Sequence, residues 1–393
     1  MKKSLLALAV FGAFSGAAFA QSNVQLYGII DLGVTHFTGL KPASGTGTVS
    51  STGLSSGVDN GSRIGVKGTE DLGGGLKAFF TAETGFCAAG LNQNAPTTQA
   101  GPYQTFCTGS GFMQRQAFAG LAGNFGTLTL GRQYTLAFNN EANVDPFGYG
   151  LTGSISNLSL TGQGGAGLLS PYYLARANQA VTYATPNLSG FTGAVAYSFA
   201  PGASGTVPAA TGANSNVPRS MALNGQYANG PVMAGLNYTR VTNVYANPTG
   251  VSDGAFKMWQ LYGSYDFGIA KLSGIYEKAN ADYTSGSDKY WMLGATFPVG
   301  PGAILASYGQ NKNDVTSAAN PLAAGTAKQY AIGYTYSLSK RTNLYTSYAH
   351  ISNDAASASL TGTAYTAGTT TDNFAGVLGQ GSSGFALGIR HQF

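Results

Sequence analysis

The chain alternates between apolar and polar residues over short segments, and this period of two indicates β-strands. In the first segment, 25–37, Leu26, Ile30 and Val34 share one face, and Asp31 lies on the other. Sixteen such segments can be counted, including this one and the last, which contains Arg390. The pattern therefore predicts an all-β fold of sixteen strands.

The connections between the segments alternate between short and long. The seven short ones are 71–75, 122–126, 186–190, 228–231, 267–270, 298–302 and 337–341. The eight long ones are 38–61, 87–111, 136–176, 200–218, 243–255, 279–288, 311–326 and 352–382. An even strand count with this alternation is typical of a closed antiparallel barrel that crosses a membrane. A soluble β-sandwich, the alternative fold, gives no reason for such regularity.

The composition also favours a barrel in lipid. Only 9% of the residues are charged, against about 25% in an average soluble domain. Glycine supplies 58 of the 393 residues, and aromatic residues make up 12%. Beyond residue 20 no apolar run reaches the roughly 18 residues that a membrane-spanning helix needs. Strands with an apolar outer face and an aromatic girdle account for these features.

The N-terminal residues resemble an export signal. Two lysines, an apolar stretch and the ending Ala18-Phe19-Ala20 predict a signal peptide over 1–20 and a barrel domain over 21–393. A buried N-terminal helix is the alternative. Export into an oxidising compartment then predicts a disulfide between the two cysteines of the chain, Cys87 and Cys107, with two free thiols as the alternative.

Several functions do not suit this sequence. The net charge of +5 is dispersed, whereas a nucleic-acid-binding protein would show basic clusters. The three histidines, His36, His350 and His391, fit neither a catalytic triad nor a metal-binding pattern. We therefore expect no enzyme activity, no cofactor, no metal site and no nucleic-acid partner.

The candidate functional residues are charged side chains that would point into the barrel. Arg63 and Arg115 lie on early strands, and Arg176 follows the longest loop. The secondary candidates for the lumen are Lys67, Arg132 and Asp31.

The loop 136–176 carries only two acids, Glu141 and Asp145, together with several leucines. A loop of about 40 residues is usually functional or disordered, and this one has the apolar content to pack. If it folds into the barrel, its two acids would face the arginines across a narrowed lumen. A surface loop that merely balances nearby charge is the alternative.

The chain resembles the trimeric general-diffusion porins of Gram-negative outer membranes, in particular their β-proteobacterial branch. The matching stretches are VQLYGIIDLGV, SRIGVKGTEDLGGGLKAFF, FGTLTLGRQ, RANQAVTYATPNLSGF, LGATFPVG, LSKRTNLY and GIRHQF. They follow in order along the whole of 21–393.

This resemblance implies a sixteen-stranded barrel, a homotrimer and a third loop that folds inward to form an eyelet. Arg63, Arg115 and Arg176 match the basic wall of that eyelet, whereas Ile29 stands where some relatives carry a lysine. The implied partners are outer-membrane lipid and lipopolysaccharide, and the assembly machinery that reads the terminal aromatic residue, Phe393.

The expected function is a water-filled channel of the cell outer membrane. Ions and small hydrophilic solutes would pass by diffusion, with a modest anion preference from the basic wall. A substrate-specific channel and a barrel enzyme or adhesin are the alternatives.

Overall fold

A computed structural model describes residues 23–42, 46–89, 113–162, 175–200, 219–242, 254–282, 285–315, 325–354 and 376–393. Seventeen strands within these ranges form a single antiparallel sheet. The strands are β1 (Asn23–Leu40), β2 (Val49–Ser56), β3 (Arg63–Gly73), β4 (Leu76–Gly85), β5 (Gln116–Gly123), β6 (Gly126–Tyr134), β7 (Arg176–Ala184), β8 (Phe191–Ser198), β9 (Arg219–Asn229), β10 (Val232–Thr242), β11 (Phe256–Asp266), β12 (Lys271–Ala281), β13 (Asp288–Val299), β14 (Gly302–Asn313), β15 (Gly325–Ser337), β16 (Thr342–Asn353) and β17 (Ser382–Gln392).

The sheet closes on itself because β1 pairs with β17 on one side and with β2 and β3 on the other. The upper part of β1, from Leu32, pairs with β2, and its lower part, up to Ile29, pairs with β3. The strands β2 and β3 are thus two parts of one wall strand, so seventeen segments build a barrel of sixteen strands. This confirms the predicted strand count.

One predicted connection is wrong in part, because β2 lies within the first predicted loop, 38–61. Residues 57–62 interrupt the wall strand between β2 and β3 and turn inward. The Asp31 carboxylate accepts the backbone N–H groups of Val58, Asp59 and Asn60, which holds this inward turn in place. Because β2 carries serine or threonine at many positions, its apolar and polar residues alternate too weakly to predict a strand.

The two faces of the wall differ as the period-two pattern predicts. On β11, Leu261 is 60% exposed and points outward, whereas its neighbour Gln260 is 0% exposed and points inward. The same alternation holds for β17, where Phe385 and Leu387 are exposed and Ala386 is buried. The outer surface is therefore apolar and the interior polar.

The segment that follows β6 runs along the inner face. It contains a helix, α1 (Leu136–Val144), and a single 3₁₀ turn, Ile155–Asn157. The Thr135 side chain caps α1 by accepting the N–H of Phe138. In the described part of the chain, no helix is long and apolar enough to cross a membrane.

We call residues 136–162 the inward segment. It is attached to the wall by hydrogen bonds to inward-facing side chains. The Leu160 N–H donates to a Glu277 carboxylate oxygen at 2.9 Å, and the Asn157 side chain donates to Gln329 at 2.8 Å. Further contacts join Asn140 to Asn224 and Gln260, Thr152 to Ser347, and Asn311 to the Leu158 carbonyl. The apolar side chains of the segment, including Leu151, Leu158 and Leu160, are fully buried between it and the wall.

The tip of this segment rests on the inward turn of the second wall strand. The Leu151 N–H donates to the Val58 carbonyl at 2.6 Å. A Cβ at Gly150 would lie 1.8 Å from the Asp59 carbonyl oxygen, so this close approach requires glycine. The interruption at 57–62 is therefore a support for the segment rather than a defect of the barrel.

Candidate functional site

Two of the predicted arginines meet on the inner wall around one carboxylate, Glu83, that was not among the predicted site residues. Arg115 Nε lies 2.6 Å from Glu83 Oε1, and Arg63 Nε lies 3.8 Å from Glu83 Oε2. Glu83 occupies an inward position of β4, and its second oxygen also accepts the Tyr27 hydroxyl at 3.0 Å. The wall thus holds these guanidinium groups together despite their mutual repulsion.

Tyr134 joins Arg176 to this group. Its hydroxyl oxygen accepts hydrogen bonds from Arg115 Nη2 and Arg176 Nη2, each at 3.0 Å. The Arg176 guanidinium also lies 4.6 Å from the centre of the Tyr134 ring, within the range of a cation–π interaction. We call Arg63, Arg115 and Arg176, with Glu83 and Tyr134, the basic cluster. Its three cations and one carboxylate leave an excess of positive charge.

A cavity of about 300 Å³ separates the basic cluster from the inward segment. The arginines and Tyr134 of the cluster line one side, together with Asp59 of the inward turn. Phe138, Asn139, Ala142 and Tyr149 line the other. The Tyr134 and Phe138 rings stack at 4.7 Å, and Phe138 meets Tyr149 edge to face at 4.4 Å. Aromatic packing therefore fixes the distance between the wall and α1.

Glu141 does not face the arginines, which differs from the sequence-based expectation. Its carboxylate is fully buried and accepts the Ser159 hydroxyl at 2.8 Å and the Thr161 N–H at 3.3 Å. It also lies beside Glu277 of the wall. Burial, with the charge of Glu277, raises the pKa of Glu141 well above its ordinary value. A carboxyl group in this position anchors the segment.

Asp145 is likewise turned into the segment and away from the cavity. Its carboxylate accepts the backbone N–H groups of Phe147, Tyr149 and Ile155, each at 3.0 Å. Burial raises its pKa to about 6, although these three hydrogen bonds act in the opposite direction. The sequence could not indicate this role, because an acid that shapes a loop and an acid that lines a pore look alike in a linear pattern.

The secondary candidates have separate positions. Lys67 is exposed on the inner face of β3, with its ammonium 5.4 Å from the centre of the Tyr27 ring. Arg132 follows a register shift at 131–133 and donates to the Gln114 carbonyl and the Asn178 side chain. Neither belongs to the basic cluster.

Asp31 faces inward as predicted, yet it is not open to the lumen. It is 0% exposed and accepts the Tyr345 hydroxyl at 2.6 Å in addition to the three backbone N–H groups of 58–60. The basic wall also contains Ile29, which is buried and pairs in register with Arg63. An isoleucine adds no charge to the wall at this position.

A second group of paired charges on the inner wall was not predicted from the sequence. Arg390 Nη1 lies 2.9 Å from Asp59 Oδ2, and its Nε donates to the Asn343 side chain at 2.8 Å. Arg390 lies on the last predicted strand, whereas Asp59 lies within the first predicted loop, 38–61. The pair forms because the inward turn brings residue 59 to the last strand.

Two expectations concern residues outside the described ranges. Cys107 and residues 1–20 both lie there, so the disulfide from Cys87 and the signal peptide stay predictions. Among the described residues, no cluster of histidine, cysteine and acidic side chains could hold a metal ion.

A closed antiparallel barrel with an apolar outer wall and a polar, charged interior defines a transmembrane channel protein. Comparison with known families specifies the kind of channel. The chain belongs to the Gram-negative porin family, whose family model matches residues 6–356. It is therefore a porin of the cell outer membrane, a channel for the diffusion of small solutes.

Individual relatives agree with this assignment. The chain is 31% identical over its whole length, and over the whole relative, to an outer membrane porin protein of Bordetella pertussis. It is 34% identical to outer membrane porin protein 32 of Delftia acidovorans, again with full coverage of both chains. A solved structure, the anion-selective porin from Comamonas acidovorans, matches with a TM-score of 0.72 at 28% identity, covering 95% of this chain and 100% of that one.

Proposed function

We propose that the basic cluster and the inward segment form the constriction of this porin and that the constriction gives a modest preference for anions. Ions and small hydrophilic solutes pass by diffusion through the gap between them. The similar porin from Comamonas acidovorans is described as anion-selective, which agrees with this proposal.

The observation that carries the proposal is the one-sided charge around the cavity. Arg63, Arg115 and Arg176 line it from the wall, and the segment opposite contributes Phe138 and Asn139 but neither of its acids. Because Glu141 and Asp145 are buried elsewhere, they do not oppose the arginines across the gap. Glu83, which pairs with Arg115 and Arg63, and Asp59, which lines the cavity and pairs with Arg390, offset part of the positive charge, so the preference is moderate rather than strong.

The test replaces Arg63, Arg115 and Arg176 together by glutamine and measures reversal potentials in a potassium chloride gradient. Glutamine keeps hydrogen-bond donors near Glu83 and Tyr134, so the wall is expected to fold. Selectivity should shift towards cations while conductance persists. The matched control removes three cations from the outer wall, Lys278, Lys312 and Lys328, and should keep the reversal potential of the wild type. An unchanged potential in the cluster variant would contradict the proposal.

We also propose that the chain forms a homotrimer in contact with outer-membrane lipid and lipopolysaccharide, and that the barrel assembly machinery recognises Phe393. The distribution of charge supports a contact between barrels. Within the described residues, the outward positions of β16, β17 and β1–β5 carry no lysine or arginine, so this part of the wall suits packing against another copy. Light scattering in detergent would show the mass of three chains, and a monomer mass would contradict the trimer.

A further inference from the structure

The inner wall carries two phenylalanines, Phe79 on β4 and Phe118 on β5, between the basic cluster and the end of the barrel with the short connections. Glu83 of the cluster points inward, and Phe79 and Thr81 lie an even number of positions from it on the same strand, so they share its face. Phe118 pairs directly with Thr81 in the sheet. Both phenylalanine rings therefore point into the lumen.

The inward segment does not cover these two rings. The apolar side chains buried beneath that segment lie elsewhere on the wall, for example Met258 on β11 and Met292 on β13, and the two phenylalanines are not among them. Phe79 and Phe118 are half-buried, so each exposes part of its ring to the lumen. A solute that passes through the pore can contact them.

The two rings form a corner on the wall. Their centres lie 6.4 Å apart and their planes meet at 79°. The Phe79 ring occupies the space beside Gly120, where an added Cβ would come within 2.5 Å of Phe79 Cζ. Aromatic rings favour offset-stacked and edge-to-face contacts. A third ring placed in this corner can make both kinds of contact, one with each phenylalanine.

A cation lies in the same row of the wall. Lys67 on β3 pairs in register with Thr81, whose other neighbour is Phe118. Neighbouring strands lie about 4.8 Å apart, so the backbone positions of Lys67 and Phe118 are about 10 Å apart. Lys67 is exposed, and its ammonium lies 5.4 Å from the centre of the Tyr27 ring. None of the ion pairs between described residues involves Lys67.

The other charges on this part of the wall oppose one another. Lys77 pairs in register with Asp71 on β3. Glu83 is engaged by Arg115 at 2.6 Å and by Arg63 at 3.8 Å. The charge beside the two phenylalanine rings is therefore positive. A ligand that matches both features combines an aromatic ring with a negative group.

We propose that Lys67, Thr81, Phe79 and Phe118, which we call the aromatic shelf, bind aromatic carboxylates on their way through the pore. The carboxylate would accept hydrogen bonds from the Lys67 ammonium and the Thr81 hydroxyl, and the ring would pack into the corner of the two phenylalanines. The inference rests on the proposed constriction, because the shelf begins two residues from Glu83, about 7 Å further along the wall. A weak site there raises the occupancy of the pore by such solutes and still releases them, as conduction requires.

The test measures the potassium chloride conductance of the full protein in planar bilayers while potassium benzoate is added. Cyclohexanecarboxylate, which has the same charge and a similar size but no aromatic ring, is added in parallel. Benzoate should reduce the conductance by half at a concentration about fivefold lower than cyclohexanecarboxylate, because it alone makes aromatic contacts. Equal potency of the two carboxylates would overturn the proposal.

Replacing both phenylalanines locates the site of the aromatic ring. Phe79→Leu combined with Phe118→Leu should abolish the preference for benzoate, while leucine keeps the wall apolar and folded. The matched control is Phe80→Leu on the same strand, because Phe80 points to the outer face and is 40% exposed there. The control should respond as the wild type does. An equal loss in both variants, or none in the first, would overturn the shelf.

Replacing the cation locates the site of the carboxylate. Lys67→Gln should raise the half-blocking concentrations of both carboxylates by about threefold, as expected for the loss of one unit charge about 5 Å away in water. Lys278→Gln removes an equal charge from the outer wall and should leave both concentrations unchanged. Unchanged values for the Lys67 variant would overturn its role in binding.

The shelf and the constriction fail in different measurements. The phenylalanine variant has the charge of the wild type, so its reversal potential in a potassium chloride gradient should be unchanged. If the arginine variants also kept that potential while the phenylalanine variant lost the benzoate preference, the constriction would be refuted and the shelf would stand. A shifted potential in the arginine variants, with no benzoate preference in the wild type, would support the constriction and overturn the shelf.

Discussion

Replacing Glu83 by glutamine should make the channel more anion-selective, the opposite of the effect expected for the arginine variants. Glu83 is the only acid of the basic cluster, where it pairs with Arg115 at 2.6 Å and with Arg63 at 3.8 Å. Its removal raises the net charge of the basic cluster, whose arginines line the cavity, by one unit. Glutamine keeps an oxygen that can accept from Arg115 and the Tyr27 hydroxyl.

The size of the effect follows from Coulomb's law. A unit charge about 6 Å from a passing ion contributes about 0.7 kcal/mol in water. Screening over about 10 Å at 0.1 M salt reduces this to about 0.4 kcal/mol. That energy roughly doubles the local anion concentration and halves that of cations, so the permeability ratio should change by about fourfold.

The variant must also fold for this measurement to be meaningful. Removing one partner of a buried ion pair costs about 3–5 kcal/mol when the other charge is left alone. Here Arg115 retains Tyr134 as an acceptor at 3.0 Å, and the glutamine oxygen is a second one. We therefore expect a lower thermal stability but a closed barrel.

The assay is the reversal potential of single channels in a potassium chloride gradient, with Glu70→Gln as the control. Glu70 is exposed on the neighbouring strand β3, towards the end far from Arg63, so its loss removes an equal charge away from the cavity. The Glu83 variant should shift towards anions, and the control should match the wild type. A shift towards cations, or an equal shift in both variants, would refute the assignment of the basic cluster to the constriction.

Three further predictions address the anchor, the closure and the cysteines. Because burial raises the pKa of Glu141 above its unfolded value, the folded state loses stability as the pH rises from that unfolded value through the raised one. Glu141→Gln should therefore increase the melting temperature more at pH 9 than at pH 5, and parallel pH profiles would contradict this. Deletion of Phe393 removes two backbone hydrogen bonds to Gly28, of 3.0 and 3.1 Å, and should lower the amount of heat-modifiable porin in outer membranes; an equal yield would argue against it. Cys87 and Cys107 should react with maleimide only after reduction, and labelling of both beforehand would exclude the disulfide.

Much of the fold could be predicted because the alternation of apolar and polar residues repeats along the whole chain. Each strand exposes apolar residues at every second position, and the alternating lengths of the connections place successive ends on opposite sides. The interrupted second strand was missed for a physical reason. Its upper part, β2, is rich in serine and threonine, and it pairs only because β1 extends to Leu40 beside it.

The site was predictable only in part. The three arginines occupy inward positions that the strand pattern assigns, and the structure brings them together. Glu83 and Tyr134 were not singled out, because neither differs in sequence from an ordinary strand residue. Their roles depend on pairing across strands that lie far apart along the chain, and the burial of Glu141 and Asp145 depends on the path of the inward segment. Contacts of this kind have no local signature.

The charges on the two faces of the wall also help to fix the strand register. On β12, Glu277 points towards the inward segment, and the next residue, Lys278, points outward on the same face as Tyr276. A slip of one residue would place Lys278 against the buried Glu141 and expose Glu277 to lipid. Such a slip would break the hydrogen bond to Leu160 and bury outward apolar residues such as Tyr276 in the polar interior. The alternation of charge along β12 therefore helps to keep the wall in the register that anchors the inward segment.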